Sequence, residues 1–113
     1  MSEQDKALTN AIQEMRRGTL VLAVLLELDE PQYGYSLIEA LASKGLSIEQ
    51  NTLYPLMRRL EKMELLDSTW QLEENRPRRY YQINEQGRLF RDQLTKEWRD
   101  LTQVMTNMLH SNS

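Results

Sequence analysis

The sequence predicts a mainly α-helical chain with one small β-hairpin, ending in a long helix. Three observations predict it. Apolar residues recur at three-to-four spacing in four separate stretches, alternation replaces that spacing only between Leu65 and Ile83, and Pro and Gly are few. The chain has 113 residues, 40% of them hydrophobic, enough for one compact unit with a real core.

The first helix is marked by Ala7, Leu8, Ala11, Ile12 and Met15, followed by the apolar run Leu20 to Leu26. It is expected from about Ala7 to Leu28, with Gly18 as a candidate break. The near-apolar run is too short to span a bilayer, and no membrane partner is expected. Asp29-Glu30-Pro31-Gln32 reads as a loop. Tyr33 to Lys44 is the second helix, with Leu37, Ile38, Leu41 and Ala42 on its apolar face and Gly45 as a stop. Leu53, Leu56, Met57, Leu60 and Met63 mark the third. Its start lies at Glu49, or at Ser47 through the capping-box spacing to Gln50, and Pro55 predicts a loosened or kinked first turn. Leu65–Leu72 and Arg79–Ile83 then read as strands around a charged turn, Glu73 to Arg78. Trp70 is expected to pack within that hairpin. Asn84 caps the last helix, where Leu94, Trp98, Leu101, Met105 and Met108 form a heptad-like seam that predicts dimerisation. His110 to Ser113 is expected to fray. Residues 1–83 and 84–113 divide into a DNA-binding part and a dimerisation helix within one compact unit.

Two short helices joined by a Gly-containing turn and followed by a hairpin make a winged helix-turn-helix, whose second helix fits the DNA major groove. Gln50, Asn51 and Thr52 are the base-edge candidates, because the N-terminal residues of such a helix meet the bases and the Gln and Asn amides can pair with adenine edges. Tyr54, Arg58 and Arg59 are assigned to phosphates, and Arg76, Arg78 and Arg79 to phosphates or the minor groove. Net charge is −3, against the basic balance usual for nucleic-acid binders, and residues 50–82 carry only +1. Binding to DNA must therefore rest on a few placed cations. The alternative is a winged-helix protein-interaction module that never touches DNA.

An enzyme is not expected. The single histidine, His110, lies at the C-terminal end, and no phosphate loop, GxGxxG, HExxH or GxSxG occurs. The absence of cysteine removes disulfides, thiolate metal sites and cysteine nucleophiles, and fits a cytoplasmic location. The opening Met1-Ser2-Glu3-Gln4-Asp5 does not read as a secretory signal. No cofactor or metal is expected.

Several segments resemble the PadR family of transcriptional regulators. Tyr33-Gly34-Tyr35-Ser36-Leu37-Ile38 is similar to its YGY-x-L motif, and Tyr35 thereby joins the DNA-binding candidates. Thr52 to Glu61 resembles its recognition helix, Asn75 to Ile83 its wing, and Arg17-Gly18-Thr19-Leu20 and Glu85-Gln86-Gly87 fit as well. The resemblance runs from about Arg16 to Trp98. It implies a dimeric repressor with a C-terminal dimerisation helix, of the short subgroup. Some short members carry a Trp on that helix that stacks on flat aromatic drugs at the dimer interface. Trp98 stands at the matching position and is read both as a seam residue and as a ligand platform, with Asp100 as the group to attract a cation. Two departures stand out: Met63-Glu64 replaces a usual glycine after the recognition helix, and Asn75 replaces one in the wing.

Overall fold

The computed structural model describes residues 2–112. Helix α1 spans Glu3–Glu27, starting earlier than its apolar periodicity suggests. The cause is a capping box: Ser2 Oγ accepts the Asp5 N–H at 3.1 Å, and the Asp5 carboxylate accepts the Ser2 N–H in return. The helix passes through Gly18 without a break. Helix α2 spans Gly34–Ser43, and Ser36 Oγ accepts the Tyr33 N–H at its start. Gly45, at φ +96°, ends it as expected. The Gly45 N–H bonds the Ala42 carbonyl and the Leu46 N–H the Leu41 carbonyl, a Schellman motif that satisfies two terminal acceptors.

Helix α3 spans Gln50–Lys62 with Glu49 as N-cap. Pro55 does not interrupt it. Both the Thr52 and Leu53 N–H groups bond the Glu49 carbonyl, so the first turn is closed before the proline is reached. The exit from α3 repeats the geometry at Gly45. The Glu64 N–H bonds the Glu61 carbonyl, the Leu65 N–H bonds the Leu60 carbonyl, and Glu64 sits at φ +64°. The join, which lacks the usual glycine, thus keeps a left-handed turn, with a glutamate held in it.

Strands β1 (Leu66–Glu73) and β2 (Arg76–Ile83) pair antiparallel from Leu66 opposite Ile83 to Glu73 opposite Arg76. The turn is only Glu74-Asn75, both at positive φ (51° and 65°), the type I′ geometry whose twist matches the strands. Arg76, Pro77 and Arg78, expected in the turn, therefore belong to β2. Gln32 extends the sheet: its N–H and C=O bond the C=O and N–H of Tyr81 at 3.0 and 2.8 Å. Helix α4 spans Glu85–Ser111, so the end expected to fray is helical as far as Ser111, while Ser113 lies outside the described residues. Asn84 caps α4, accepting the Gly87 N–H at 2.8 Å and donating to the Glu64 carbonyl and to Asp67.

One core joins these elements. Val24, Leu25 and Leu28 of α1 and its end meet Leu37 and Leu41 of α2, Leu53, Met57 and Leu60 of α3, and Leu65, Leu66, Tyr81 and Ile83 at the base of the hairpin. Every residue named here is a buried hydrophobic one, and burial of that apolar surface drives the packing of α3 and the wing on α1. No helix among the described residues is long and apolar enough to cross a membrane.

Candidate nucleic-acid interface

The helical period divides α3. Leu53, Leu56, Met57 and Leu60 are buried, while Gln50, Asn51, Thr52, Arg58 and Arg59 are exposed. A shallow cleft between α2 and α3 brings Tyr35, Gln50, Asn51, Tyr54 and Arg58 together on one surface, with Ile38 and Ile48 at its floor. Thr52 lies elsewhere: it lines a second depression with Arg16, Arg17 and Ser47, on the side facing α1. Arg16, which the sequence did not single out as a site residue, donates to the Ser47 carbonyl at 2.9 Å and ties α1 to the turn before α3. Its spacing carries no signal, since the contact spans 31 residues.

Tyr54 is half-buried, and the reason is Gly34. A Cβ on Gly34 would stand 2.0 Å from Tyr54 Cε1, so the tyrosine ring lies directly on the backbone that opens α2. The Tyr-Gly-Tyr segment therefore does two things. Its glycine seats Tyr54, and Tyr35 stays exposed beside it.

The wing cations separate. Arg76 is exposed next to the turn. Arg78 lies half-buried with its guanidinium 4.4 Å from the centroid of the Tyr33 ring, and Tyr33 meets Tyr80 edge to face at 5.3 Å. Arg79, expected at a phosphate or in the minor groove, is engaged within the protein. Its Nη2 bonds the Glu61 carboxylate at 2.8 and 3.1 Å and its Nε bonds Ser68 at 3.1 Å. The register explains this: Arg79 and Ser68 project to the side of the hairpin that faces the end of α3. Trp70 packs within the hairpin as expected, through the guanidinium of its cross-strand partner Arg79 at 5.8 Å, but is 66% exposed, because a two-stranded sheet is covered only at its base. It joins Tyr54, Arg58 and Arg79 around a depression between α3 and the wing. The Tyr80 hydroxyl donates to Glu73, and that hydrogen bond pushes its phenol up to about 12. Burial pushes the Tyr81 phenol up as well.

A second surface runs along the long helices. Leu94, Trp98, Leu101 and Met105 of α4 line an apolar groove of about 580 Å³ with Met15, Gly18 and Leu22 of α1. Trp98 is 45% exposed there, and Met108, one turn beyond Met105, is exposed outside the groove's lining. Asp100, expected to attract a ligand cation, is not on this groove; Glu97 is, because it precedes Trp98 on the inward-turning side of α4.

A helix-turn-helix with an exposed amide, tyrosine and arginine face, followed by a two-stranded wing, defines a winged helix-turn-helix regulator. The chain belongs to the transcriptional regulator PadR-like family, whose profile matches residues 21–93. It is similar to a PadR family transcriptional regulator from Eggerthella lenta, at 42% identity and a TM-score of 0.85, over 94% of this chain and 95% of that one. A PadR-like transcriptional regulator from Bacillus cereus matches at 26% identity and a TM-score of 0.76, over 85% of this chain and 96% of that one. An uncharacterised protein of Lysinibacillus sphaericus is 28% identical over 91 residues, 77% of this chain and 82% of its own. The family is one of transcriptional regulators and not of enzymes.

Proposed function

We propose that the chain is a homodimeric, sequence-specific repressor acting in the cytoplasm, its two α3 helices entering successive major grooves of an operator. The observation that carries this reading is the exposed surface on which Tyr35, Gln50, Asn51, Tyr54 and Arg58 converge. Gln50 and Asn51 pair with base edges, Thr52 and Arg59 reach the flanking backbone, and Arg58 binds phosphate. Arg76 carries the wing's contact. Arg78 and Arg79 set the wing's placement more than they touch the duplex, since both are already engaged.

The groove and the apolar side chains beyond it support the dimeric reading. Leu94, Trp98, Leu101, Met105 and Met108 of α4 continue onto Leu8, Ile12 and Met15 of α1, leaving a long apolar strip on the single chain. Contiguous exposed apolar side chains of this kind mark interfaces. A planar aromatic effector stacks on Trp98 and relieves repression by altering the separation of the two α3 helices, which must stay about 34–36 Å apart on DNA. Glu97 supplies the negative charge for a cationic ligand.

A gel-shift titration tests the DNA face. Arg58→Ala is expected to weaken binding about tenfold while the fold is kept, the loss of one charge-assisted contact worth roughly 1.5 kcal/mol. Undiminished binding by this variant would reject the assigned face. A chain that retards no duplex at low salt is instead the protein-interaction module.

A further inference from the structure

We propose that Glu61 is a positioning residue for DNA binding, an acidic group on the DNA-facing side whose removal weakens binding. The inference rests on the DNA-binding reading above. Glu61 lies in the last turn of α3, half-buried, and its carboxylate accepts from both strands of the wing. Arg79 of β2 donates to both carboxylate oxygens, at 2.8 and 3.1 Å, and Ser68 of β1 donates to Oε2. Ser68 in turn accepts from Arg79 Nε at 3.1 Å, which closes the triangle. The chain between α3 and β1 is only Met63 to Leu65, and it turns through Glu64 in a left-handed conformation. A short turn of this kind sets where the wing starts, but not the direction in which its far end points. The Glu61 carboxylate supplies that second attachment. It grips the hairpin two to four residues above its base and so sets where Arg76 stands relative to Asn51 and Arg58.

The sign of the effect makes the proposal testable. A carboxylate near a duplex repels it, so its neutralisation by itself strengthens binding. Loss of a wing support does the opposite. The probe is a duplex recovered by the wild-type chain from a random-sequence pool. Glu61→Gln is expected to bind it about five- to twentyfold more weakly, the scale of one lost charge-assisted phosphate contact. Ser68→Ala, which opens the same triangle without changing charge, is expected to weaken binding in the same direction. Thermal melting of both variants verifies that they fold. A support that serves only stability would leave the role of Arg76 unchanged, so the decisive readout is a double-mutant cycle. Arg76→Ala is expected to weaken binding and lower the salt slope by about one contact in the wild-type background, and to do little in Glu61→Gln. Equal or tighter binding by Glu61→Gln, or an Arg76→Ala effect of the same size in both backgrounds, overturns the proposal. If the wild-type chain recovers no duplex at all, the DNA-binding reading fails first and this one with it.

Discussion

Glu64 holds a conformation that suits glycine. At φ +64° its Cβ crowds the following carbonyl, at a cost of roughly 1–2 kcal/mol, and its carboxylate lies at the negative end of α3. Both effects oppose folding. Glu64→Gly removes both, against a smaller loss from the freer unfolded chain. A net gain of about 1 kcal/mol is expected, a rise of about 4 °C in melting temperature by circular dichroism. A lower melting temperature would mean that Glu64 makes up for its strain elsewhere. Tyr80 offers a second residue-scale test. With its phenol at about 12 in the folded chain and near 10 when unfolded, the folded form keeps a proton that the unfolded form loses. Its contribution is therefore present below pH 10 and fades as pH rises toward 12. Glu73→Gln should bring the Tyr80 titration, followed by phenolate absorbance against a Tyr80→Phe control, back toward 10.

Elements were legible in the sequence where spacing carried the information. Leu53, Met57 and Leu60 mark the buried side of α3, and Gly45 its preceding stop, since period and left-handed turn are local properties. Arg76, Pro77 and Arg78 were misplaced because a two-residue turn with Glu in its first position lacks the usual Asn-Gly signature. The engagement of Arg79 with Glu61 and the exposure of Trp70 were not legible for a different reason. Which side of a hairpin is covered depends on the helix beside it, and the Glu61–Arg79 pair spans 18 residues. Gly87 shows how closely the elements meet. A Cβ there would stand 2.2 Å from the Leu65 carbonyl oxygen and 2.6 Å from Ile83 Cγ1. The first of these is backbone and cannot step aside, so Gly87→Ala must shift α4 from the base of the wing. A loss of about 2 kcal/mol or more is expected in urea titration, the scale of an overpacked core. A neutral result would mean that α4 can slide along the hairpin.

For the whole molecule, the order of elements was readable because each announces itself locally, whereas the α1–α4 groove was not. The groove joins Met15 and Trp98, which are far apart in the chain, and so the sequence pointed to Asp100 where the structure places Glu97. Helix α1 is a rod of about 37 Å, and its first half carries Leu8, Ile12 and Met15 exposed, as the last turns of α4 carry Leu101, Met105 and Leu109. If a second chain covers these side chains, the transition temperature belongs to the pair and not to the chain. Melting is then expected to move upward as protein concentration is raised from micromolar to hundreds of micromolar, and Met105→Glu to abolish that dependence. A melting point indifferent to concentration would assign the strip to some other partner.

The Schellman turn held by a glutamate also bears on how this chain changes over generations. A single codon change at Glu64 to glycine relaxes the turn without touching a DNA-facing side chain. With the gain expected above, the protein has a reserve of stability within one step, available to offset new and destabilising residues at Gln50 or Asn51. Operator preference is free to drift on that margin while the scaffold stays folded.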